Sequence, residues 1–441
     1  MYMKKIAVTI GLAAIGAANI HAAYAPDRTG DKDWSVSATL RGFYDDNFAA
    51  VGVNPRGSFG GELTPQFQIV KPYTQTELGL RYIYALYYYE GRDHLNQNPY
   101  DQNHSVNLWL DHVFNEKWET KLSDNIYVSQ DPQLLSSGSA ATTLPYRADG
   151  NYINNIASAS VHTDWTRRFG TVLTYNNSLY TYDQTGSQSV SNIVNGASPS
   201  YAGEFDRIDQ SVTLDLQWHA STETILGLGY TFDWTDFNGN EAVSTNILNK
   251  SVVYSDGRNS YTHTMYLSYQ HNLTDTLKFT AMGGAQINDS YNDPNQKSSP
   301  ASPYADISAT YLYAPGSSLQ FGFTHSLNTS YLPIINGYTS STNNGSISEY
   351  QESSTVYVNV NHQITPKLVA LVGARYQNSA FQEGPVANES ENYYSVVANL
   401  NYSITHHWSV EIGYNYDQVE SLQAGSSYSR NRYEIGVTGS Y

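Results

Sequence analysis

From Trp34 to the end of the chain, apolar and polar residues alternate with a period of two, in runs of about 11 to 14 residues. In the run 78–88 the even positions are Leu, Leu, Tyr, Tyr, Leu and Tyr, and Glu77, Gly79 and Arg81 stand beside or between them. Such a run gives a strand one apolar and one polar face, and its length spans a membrane when the strand is tilted. The pattern therefore predicts membrane-spanning strands.

The runs come in pairs joined by short connections, which are predicted near 71–74, 115–117, 166–169, 220–223, 272–275, 315–318, 365–367 and 405–407. Longer segments rich in Gly, Ser, Asn and Asp separate the pairs, including 131–148, 183–203, 237–258 and 332–350. The predicted fold is all-β: a closed antiparallel transmembrane β-barrel of about 18 strands, or 16 if one hairpin is misread. Short turns face the periplasm in bacterial barrels, so both termini are expected there.

The first residues have the pattern of a secretory signal peptide. Lys4 and Lys5 precede an apolar run at 6–20, and small residues follow at 22–25. We expect a signal peptide at 1–23, a short periplasmic segment at 24–33 and the barrel at 34–441. No later run of 18 apolar residues occurs, which excludes helical membrane insertion. The mean hydropathy of −0.47 fits strands that alternate lipid-facing and lumen-facing residues.

Composition supports an exported barrel in a Gram-negative outer membrane. Tyrosine accounts for 39 of 441 residues, only 14% of residues are charged, and cysteine is absent. The formal charge of −17 becomes −19 when Lys4 and Lys5 are removed, which argues against nucleic acid as a partner. Five tryptophans lie beside the chain start or the short turns, as in an interfacial girdle: Trp34, Trp118, Trp165, Trp218 and Trp408. The expected surroundings are outer-membrane lipids and lipopolysaccharide.

The last strand alternates to a terminal aromatic residue. Its alternate positions are Tyr433, Ile435, Val437, Gly439 and Tyr441. This pattern resembles the C-terminal recognition strand that the barrel assembly machinery reads in outer-membrane proteins, although that strand usually ends in Phe. The resemblance implies an assembly signal formed by Tyr433, Ile435, Val437 and Tyr441.

Four segments carry a family resemblance: Arg-Gly-Phe-Tyr-Asp-Asp-Asn-Phe at 41–48, Leu-Thr-Pro-Gln at 63–66, the tyrosine-rich run 82–89, and 104–114 with Ser-Asp at 123–124. Together they resemble a β-barrel porin family that is often associated with capsule or exopolysaccharide gene clusters. The resemblance implies an outer-membrane barrel of this size that is connected with surface polysaccharide. It implies no catalytic residues.

The alternation also predicts which charged residues face the lumen. Ten acidic and six basic residues fall on that face: Arg41, Asp45, Glu62, Glu77, Arg81, Asp111, Lys121, Asp209, Asp215, Asp233, Lys278, Arg375, Glu411, Asp417, Arg432 and Glu434. The pore-lining candidates among them are Arg41, Glu62, Glu77, Arg81, Asp215, Arg375, Glu411, Arg432 and Glu434. Strands 1, 2, 3 and the last, which carry Arg41, Glu62, Arg81 and Glu434, are consecutive in a closed wall, and we expect the first three of these residues in neighbouring rows. These charges either create a field across a pore or form salt bridges that close the barrel.

Metal binding and catalysis are the other chemistries to consider. Six of the 12 histidines are expected round the periplasmic rim, without the spacing of metal ligands: His112, His219, His271, His362, His406 and His407. Outer-membrane phospholipases carry Ser, His and Asn on the lipid-facing wall, and His263 and His325 fall on outward-facing positions. The sequence alone places no Ser within hydrogen-bond reach of either histidine, and it contains no nucleophile-elbow motif. We therefore predict neither an enzyme nor a bound metal or cofactor.

Barrels of this size leave an aqueous channel. The predicted function is a porin-like channel for passive diffusion of small hydrophilic solutes, with extracellular loops narrowing the mouth and a mild cation preference from the acidic excess. One alternative is a barrel for exopolysaccharide or capsule export or surface attachment, with polysaccharide as its partner. Another is a closed structural or adhesive barrel whose lumen is filled by the segment 237–258. All three are compatible with a homo-oligomer.

Overall fold

The computed structural model describes residues 32–93, 97–130, 133–136, 143–148, 150–183, 200–237, 239, 241–245, 252–292, 301–329, 350–382, 389–421 and 427–441. The predicted signal peptide, most of the segment 183–203, and residues 330–349 lie outside the described residues.

The described residues form strands with few helical turns. The strands are β1 (Trp34–Asp45), β2 (Ser58–Pro72), β3 (Thr76–Tyr89), β4 (Tyr100–Asn115), β5 (Trp118–Ser129), β6 (Gln133–Ser136), β7 (Thr143–Ala148), β8 (Tyr152–Asp164), β9 (Phe169–Tyr182), β10 (Arg207–His219), β11 (Thr224–Phe237), β12 (Ala242–Thr245), β13 (Val252–Tyr254), β14 (Ser260–Thr274), β15 (Leu277–Asp289), β16 (Ala301–Ala314), β17 (Ser317–Thr329), β18 (Tyr350–Thr365), β19 (Leu368–Phe381), β20 (Ser390–Ser403), β21 (Trp408–Ser421) and β22 (Tyr428–Ser440). The helices are α1 (Glu90–Asp93) and α2 (Tyr201–Phe205), with a 3-10 turn at Ser255–Arg258.

Eighteen of these strands form one closed antiparallel sheet, and the two short pairs β6–β7 and β12–β13 lie in loops outside it. Each barrel strand pairs with its neighbours along the chain, and β1 pairs with β22 to close the wall. That closing register runs from Ser37 opposite Ser440 to Asp45 opposite Arg432. The predicted barrel of about 18 strands is confirmed.

The two ends of the barrel differ in the length of their connections. Turns of two to four residues join alternate strands at one end, where β1 begins and β22 ends; we call this the short-turn end. The predicted short connections all fall there. One of them needs glycine, because Gly316 adopts a φ of +70° in the turn before β17. The longer connections lie at the opposite, long-loop end.

The wall has an apolar outer face and a polar inner face. Leu40, Leu267 and Ile435 are 62 to 68% exposed on the outside, whereas Arg41 and Glu62 are 6% and 2% exposed on the inside. The five girdle tryptophans are 39 to 58% exposed at the short-turn end. The apolar and polar faces correspond to the alternation in the sequence, because successive side chains of a strand point to opposite sides of the sheet.

Among the described residues, no helix is both long and apolar enough to cross a membrane.

Candidate functional site: the inner wall

Arg41 lies at the centre of a row of charges across the closing strands. The registers place Glu62 of β2 directly opposite Arg41, and Gly436 of β22 separates Arg41 from Glu411 of β21. Arg41 Nη1 donates to Glu62 Oε1 at 2.6 Å, and its Nε donates to Glu411 Oε1 on the other side. One guanidinium therefore joins two carboxylates that lie on strands separated along the chain.

Glycine at 436 makes this arrangement fit. The Arg41 side chain crosses the β22 backbone at that point to reach Glu411. A Cβ on Gly436 would lie 2.8 Å from both Arg41 Cγ and Glu411 Oε1. Gly413 of β21 has the same role one row higher, where a Cβ would lie 2.6 Å from Glu434 Cγ. These glycines leave room for the long charged side chains to lie flat against the wall.

More charged residues extend the row toward the long-loop end. Arg432 Nη2 lies 3.5 Å from Glu62 Oε2, and Arg432 Nε lies 3.7 Å from Glu434 Oε2. Arg430 donates through Nε to Asp45 Oδ2 at 2.8 Å. We call these residues the seam network: Arg41, Asp45, Glu62, Glu411, Arg430, Arg432 and Glu434. Each of them is at most 8% exposed.

Of the two expected roles for these charges, the seam network fits salt bridges that close the barrel, because its charges are paired and shielded from water. The alternation had assigned six of its members to the lumen face, and the registers bring these six together. Arg430 was missed, although it lies two residues before Arg432 on the same face of β22 and the period of two could have found it.

Arg81 does not join this network, and the expectation that it lies in a row next to Arg41 and Glu62 is wrong. The turn at 73–75 sets the β2–β3 register so that Glu62 faces Tyr87 and Arg81 faces Gln68. Six residues of strand, about 20 Å, therefore separate Arg81 from the row of Glu62. The Arg81 Nε donates to Gln68 Oε1 at 3.0 Å.

Two other candidates line the inner face away from the seam. Glu77 lies near the short-turn end of β3, where Trp109 Nε1 donates to Glu77 Oε1 at 3.2 Å. Trp109 itself lies flat across Gly79 on the inner wall, which explains why it is absent from the outer girdle. Arg375 lies on the inner face of β19 and donates to Gln377 Oε1 at 3.3 Å.

A separate sector of the inner wall carries aspartates that are only partly buried. Asp215 of β10, Asp233 of β11 and Asp306 of β16 form what we call the acidic wall. The Tyr266 ring crosses Gly229 to donate its hydroxyl to Asp215 Oδ1 at 2.6 Å. Two of these carboxylates, Asp233 and Asp306, are outside the nine pore-lining candidates chosen from the sequence, although Asp233 was in the wider set. The acidic wall places partly exposed carboxylates on the lumen side.

Loop segments pack against the inner face at the long-loop end. We call this unit, residues 200–206, 241–243 and 255–259, the cap. Phe205 of α2 is fully buried against Tyr180, Tyr182 and Phe237, which are inward-facing residues of β9 and β11. Arg258 fastens the two loops together, because its Nη2 donates to the carbonyl oxygens of Gly203 at 2.9 Å and Glu204 at 2.8 Å. The described part of the segment 237–258 thus enters the mouth, while 238, 240 and 246–251 lie outside the described residues.

The cap contains a carboxyl group with a shifted pKa. Burial raises the pKa of Asp206 to about 6, and the nearby Glu241 carboxylate adds to this shift. The Tyr182 backbone N–H, which donates to Asp206 Oδ1 at 2.6 Å, and the Arg207 guanidinium both oppose it. Asp206 is outside the strands, between α2 and β10. Its protonation therefore responds to pH in the mildly acidic range.

Two of the rim histidines lie within hydrogen-bond distance of threonines near the short-turn end. His112 Nδ1 lies 2.7 Å from Thr76 Oγ1, and His271 Nδ1 lies 2.9 Å from Thr224 Oγ1. Over the part of the chain that the structure describes, no three His, Cys, Asp or Glu side chains gather in a way that could hold a metal ion.

The predicted assembly signal lies on the outer face of β22 and at the chain end. Tyr433, Ile435, Val437 and Tyr441 are 42 to 66% exposed. Tyr441 also bonds back to β1, with its N–H donating to the Val36 carbonyl oxygen at 2.8 Å.

Several solved structures resemble the chain at low sequence identity. They include OccAB4 of Acinetobacter baumannii, with 10% identity, coverage of 94% of this chain and 100% of that chain, and a TM-score of 0.45. They also include the outer membrane protein opdK of Pseudomonas aeruginosa, with 11% identity, coverage of 93% and 99%, and a TM-score of 0.43. No curated protein matches the chain in sequence. Residues 335–441 match a family described as "Putative beta-barrel porin 2", and the resemblance to a β-barrel porin family is thereby confirmed for that segment.

Proposed function

We propose that this protein is an outer-membrane channel of the porin type, through which small hydrophilic solutes pass by diffusion. An 18-stranded barrel is wide enough to leave an aqueous passage between its walls. The apolar outer face suits lipid and lipopolysaccharide, and the polar inner face suits water. In this proposal the short-turn end and both termini are periplasmic, and the long-loop end is extracellular.

The observation that carries the proposal is the acidic wall. Its three aspartates face the lumen and are partly exposed, whereas the seam network is buried and paired. A lumen filled only by packed side chains would have no reason to keep carboxylates accessible. Accessible carboxylates in a water-filled passage attract cations, so we expect a mild cation preference.

The cap adds a constriction to this channel. It packs on the inner faces of β9 and β11 and so takes up part of the mouth. We infer that the cap limits the size of solutes that enter. The assembly machinery would read the outward-facing end of β22, from Tyr433 to Tyr441.

Conductance in a planar bilayer tests the proposal. The refolded mature chain should give stable steps, with a reversal potential in a potassium chloride gradient that shows cation preference. Replacing all three aspartates, Asp215→Asn, Asp233→Asn and Asp306→Asn, should reduce the cation-to-anion permeability ratio by about 2-fold to 5-fold. Asp275→Asn in the exposed short turn between β14 and β15 is the matched control and should leave the ratio unchanged.

Two results would contradict parts of this proposal. A silent bilayer, with the barrel shown to be folded by its heat-sensitive mobility in detergent gels, would contradict the channel and favour a closed structural barrel. Conductance steps with the same cation-to-anion permeability ratio in the wild type and in the triple aspartate variant would contradict the role of the acidic wall.

A further inference from the structure

The outer face of the barrel holds a polar cluster beside the long-loop end of β17 and β18. The register places Ser354 opposite His325 and Glu352 opposite Leu327. These positions share the outward face with Val356, which is 38% exposed. The side chains of His325 and Glu352 are 19% and 25% exposed, so neither is sealed inside the wall.

The three polar side chains form a chain of hydrogen bonds. His325 Nδ1 lies 2.8 Å from Ser354 Oγ, and His325 Nε2 lies 2.9 Å from Glu352 Oε1. A carboxylate only accepts hydrogen bonds, so in a neutral imidazole the proton is on Nε2. Nδ1 then carries the lone pair and accepts the Ser354 hydroxyl. A serine hydroxyl donating to a histidine, itself oriented by a carboxylate, is the arrangement that activates a serine nucleophile.

Glu352 is held in place from two further directions. Ser302 Oγ donates to Glu352 Oε1 at 2.6 Å, and Gln382 Nε2 donates to Glu352 Oε2 at 2.6 Å. Ser302 can reach because the β16–β17 register begins at Ala305 opposite His325, leaving residues 301–304 without paired partners on β17. The interrupted ladder opens a gap that these side chains fill. Such support from neighbouring groups keeps a carboxylate oriented toward its histidine.

Small residues line the outer face beside His325. The row through His325 continues to Ala305 of β16 and Gly283 of β15, and the next row contains Pro303 and Ala285. A Cβ added to Gly283 would meet no atom within 4 Å. On the far side the ridge is formed by Met265 and Leu267, which are 60% and 68% exposed. We infer that an acyl chain can lie along these small residues and reach the histidine.

The cluster lies close to the long-loop end of the wall. Ser354 is four residues from the long-loop end of β18, which begins at Tyr350. With a strand tilted by about 45°, this places Ser354 about 9 Å below that end. Ester linkages of membrane lipids lie at the boundary between headgroups and hydrocarbon, so we infer that a site near this end of the wall can reach them.

We propose that Ser354 and His325 are the catalytic residues of a lipid-facing acyl-ester hydrolase site, with Glu352 as a positioning residue. The substrate class is a membrane lipid that carries a fatty acyl ester, either a glycerophospholipid or the acylated anchor of lipopolysaccharide. The site is outside the channel, so it adds an activity to the transport function.

The reaction balances with water as the only co-reactant. The Ser354 oxygen bonds to the acyl carbonyl carbon as its proton passes to His325 Nδ1. The bond from that carbon to the alcohol oxygen then breaks, and His325 returns the proton to the leaving alcohol. Water, deprotonated by His325, attacks the acyl-serine, which releases the fatty acid and restores Ser354.

Fatty-acid release from proteoliposomes tests the proposal. The refolded barrel in phosphatidylethanolamine vesicles should release fatty acid above the level of protein-free vesicles, and a fluorophosphonate probe should label Ser354, as read by peptide mass. Ser354→Ala should lower release to the background and abolish labelling. His325→Ala should lower release by about 100-fold or more. Glu352→Gln should lower kcat while KM stays unchanged, because the small residues along which the lipid chain is expected to lie are unaltered.

The matched control is His263→Ala. His263 is also an outward-facing histidine, but its hydrogen-bond partner is the Tyr230 hydroxyl, at 2.7 Å. Release unaffected by His263→Ala but lost in Ser354→Ala supports the site. Release that persists in Ser354→Ala, or a wild-type barrel with native heat-sensitive mobility that neither releases fatty acid nor takes the probe, overturns the proposal. Repeating the assay with purified lipopolysaccharide distinguishes the two lipid sources.

Discussion

The seam network and the acidic wall occupy the same inner face but hold their charges in different ways. In the seam network, Arg41 lies between Glu62 and Glu411 and all three are at most 6% exposed. In the acidic wall, Asp215 and Asp306 are only partly buried. A charged side chain on the lumen face is therefore not necessarily accessible to ions in the pore. One group stabilises the closure of the barrel, and the other is available to passing ions.

Reach across neighbouring strands explains the difference. Long arginine and glutamate side chains at the seam lie over Gly436 and Gly413, so they meet one another along the wall. At the acidic wall, Asp215 instead accepts a hydrogen bond from the neutral Tyr266 hydroxyl, whose ring crosses Gly229 toward it. An ion pair at the seam satisfies each charge locally, whereas a carboxylate bonded to a neutral hydroxyl still relies on water to compensate its charge.

Arg41→Met should give the largest loss of stability in the barrel. The change leaves Glu411 and Glu62 buried without the guanidinium that bridges them. Removing one partner of a buried ion pair costs about 3–5 kcal/mol. The free energy of unfolding, measured by urea titration of the barrel in lipid vesicles, should fall by about that amount.

A neutral version of the same row is the control for Arg41→Met. The triple variant Arg41→Met, Glu62→Gln and Glu411→Gln removes the guanidinium together with both carboxylates that it pairs. Most of the lost stability should return, because the cost arises from unpaired charge rather than from lost packing. If the triple variant is as unstable as Arg41→Met alone, the seam is stabilised by side-chain packing and the electrostatic account is wrong.

Gly436→Ala should have the next largest effect. The new Cβ would lie 2.8 Å from Arg41 Cγ, which is near the base of that side chain and cannot move aside freely. Overpacking of this kind costs about 1–3 kcal/mol. Gly61→Ala on β2 is the matched control, because its nearest atom would be the Arg41 carbonyl oxygen at 3.8 Å. Equal stability of the two variants would show that Arg41 has room to shift.

Sequence reasoning predicted the barrel more completely than the site. Strand number, hairpin ends and the tryptophan girdle follow from a period of two and from turn residues, which are local properties. Contacts between strands depend on their register. An error of a few residues in the predicted position of one turn changes every contact between the two strands that it joins. For this reason Arg81 was placed beside Glu62, and the contact between His325 and Ser354 was not foreseen.

The cap, which packs on β9 and β11, gives a smaller effect that depends on pH. The pKa of Asp206 is raised to about 6 in the folded cap, above its ordinary value of 3.8, because of burial. The folded cap therefore binds this proton more tightly than an unfolded loop does. The contribution of Asp206 to the stability of the cap is therefore greatest below pH 3.8 and is lost as the pH rises through about 6.

Hydrogen-exchange protection of the segment 200–206 measures this effect. Protection factors, corrected for intrinsic rates, should be higher at about pH 5 than at about pH 7.5. Asp206→Asn should remove the difference, since the amide does not titrate, while amides of β1 at the seam should show no such change in either protein. Higher protection at the more alkaline pH would contradict the sign of the pKa shift.

Arg81→Gln should have the smallest effect on the free energy of unfolding. It is the direct counterpart of Arg41→Met, because Arg81 and Arg41 are both inward-facing arginines. Arg81 is partly exposed and donates to the neutral Gln68 at 3.0 Å, so no buried carboxylate depends on it. The free energy of unfolding should change by at most about 0.5 kcal/mol. Loss of one accessible positive charge should instead raise the cation preference of the conductance slightly. A loss of stability close to that of Arg41→Met would mean that any inward-facing charge stabilises the barrel. Unchanged stability with a shifted cation preference would mean that an inward-facing charge stabilises the barrel only when it is buried and paired.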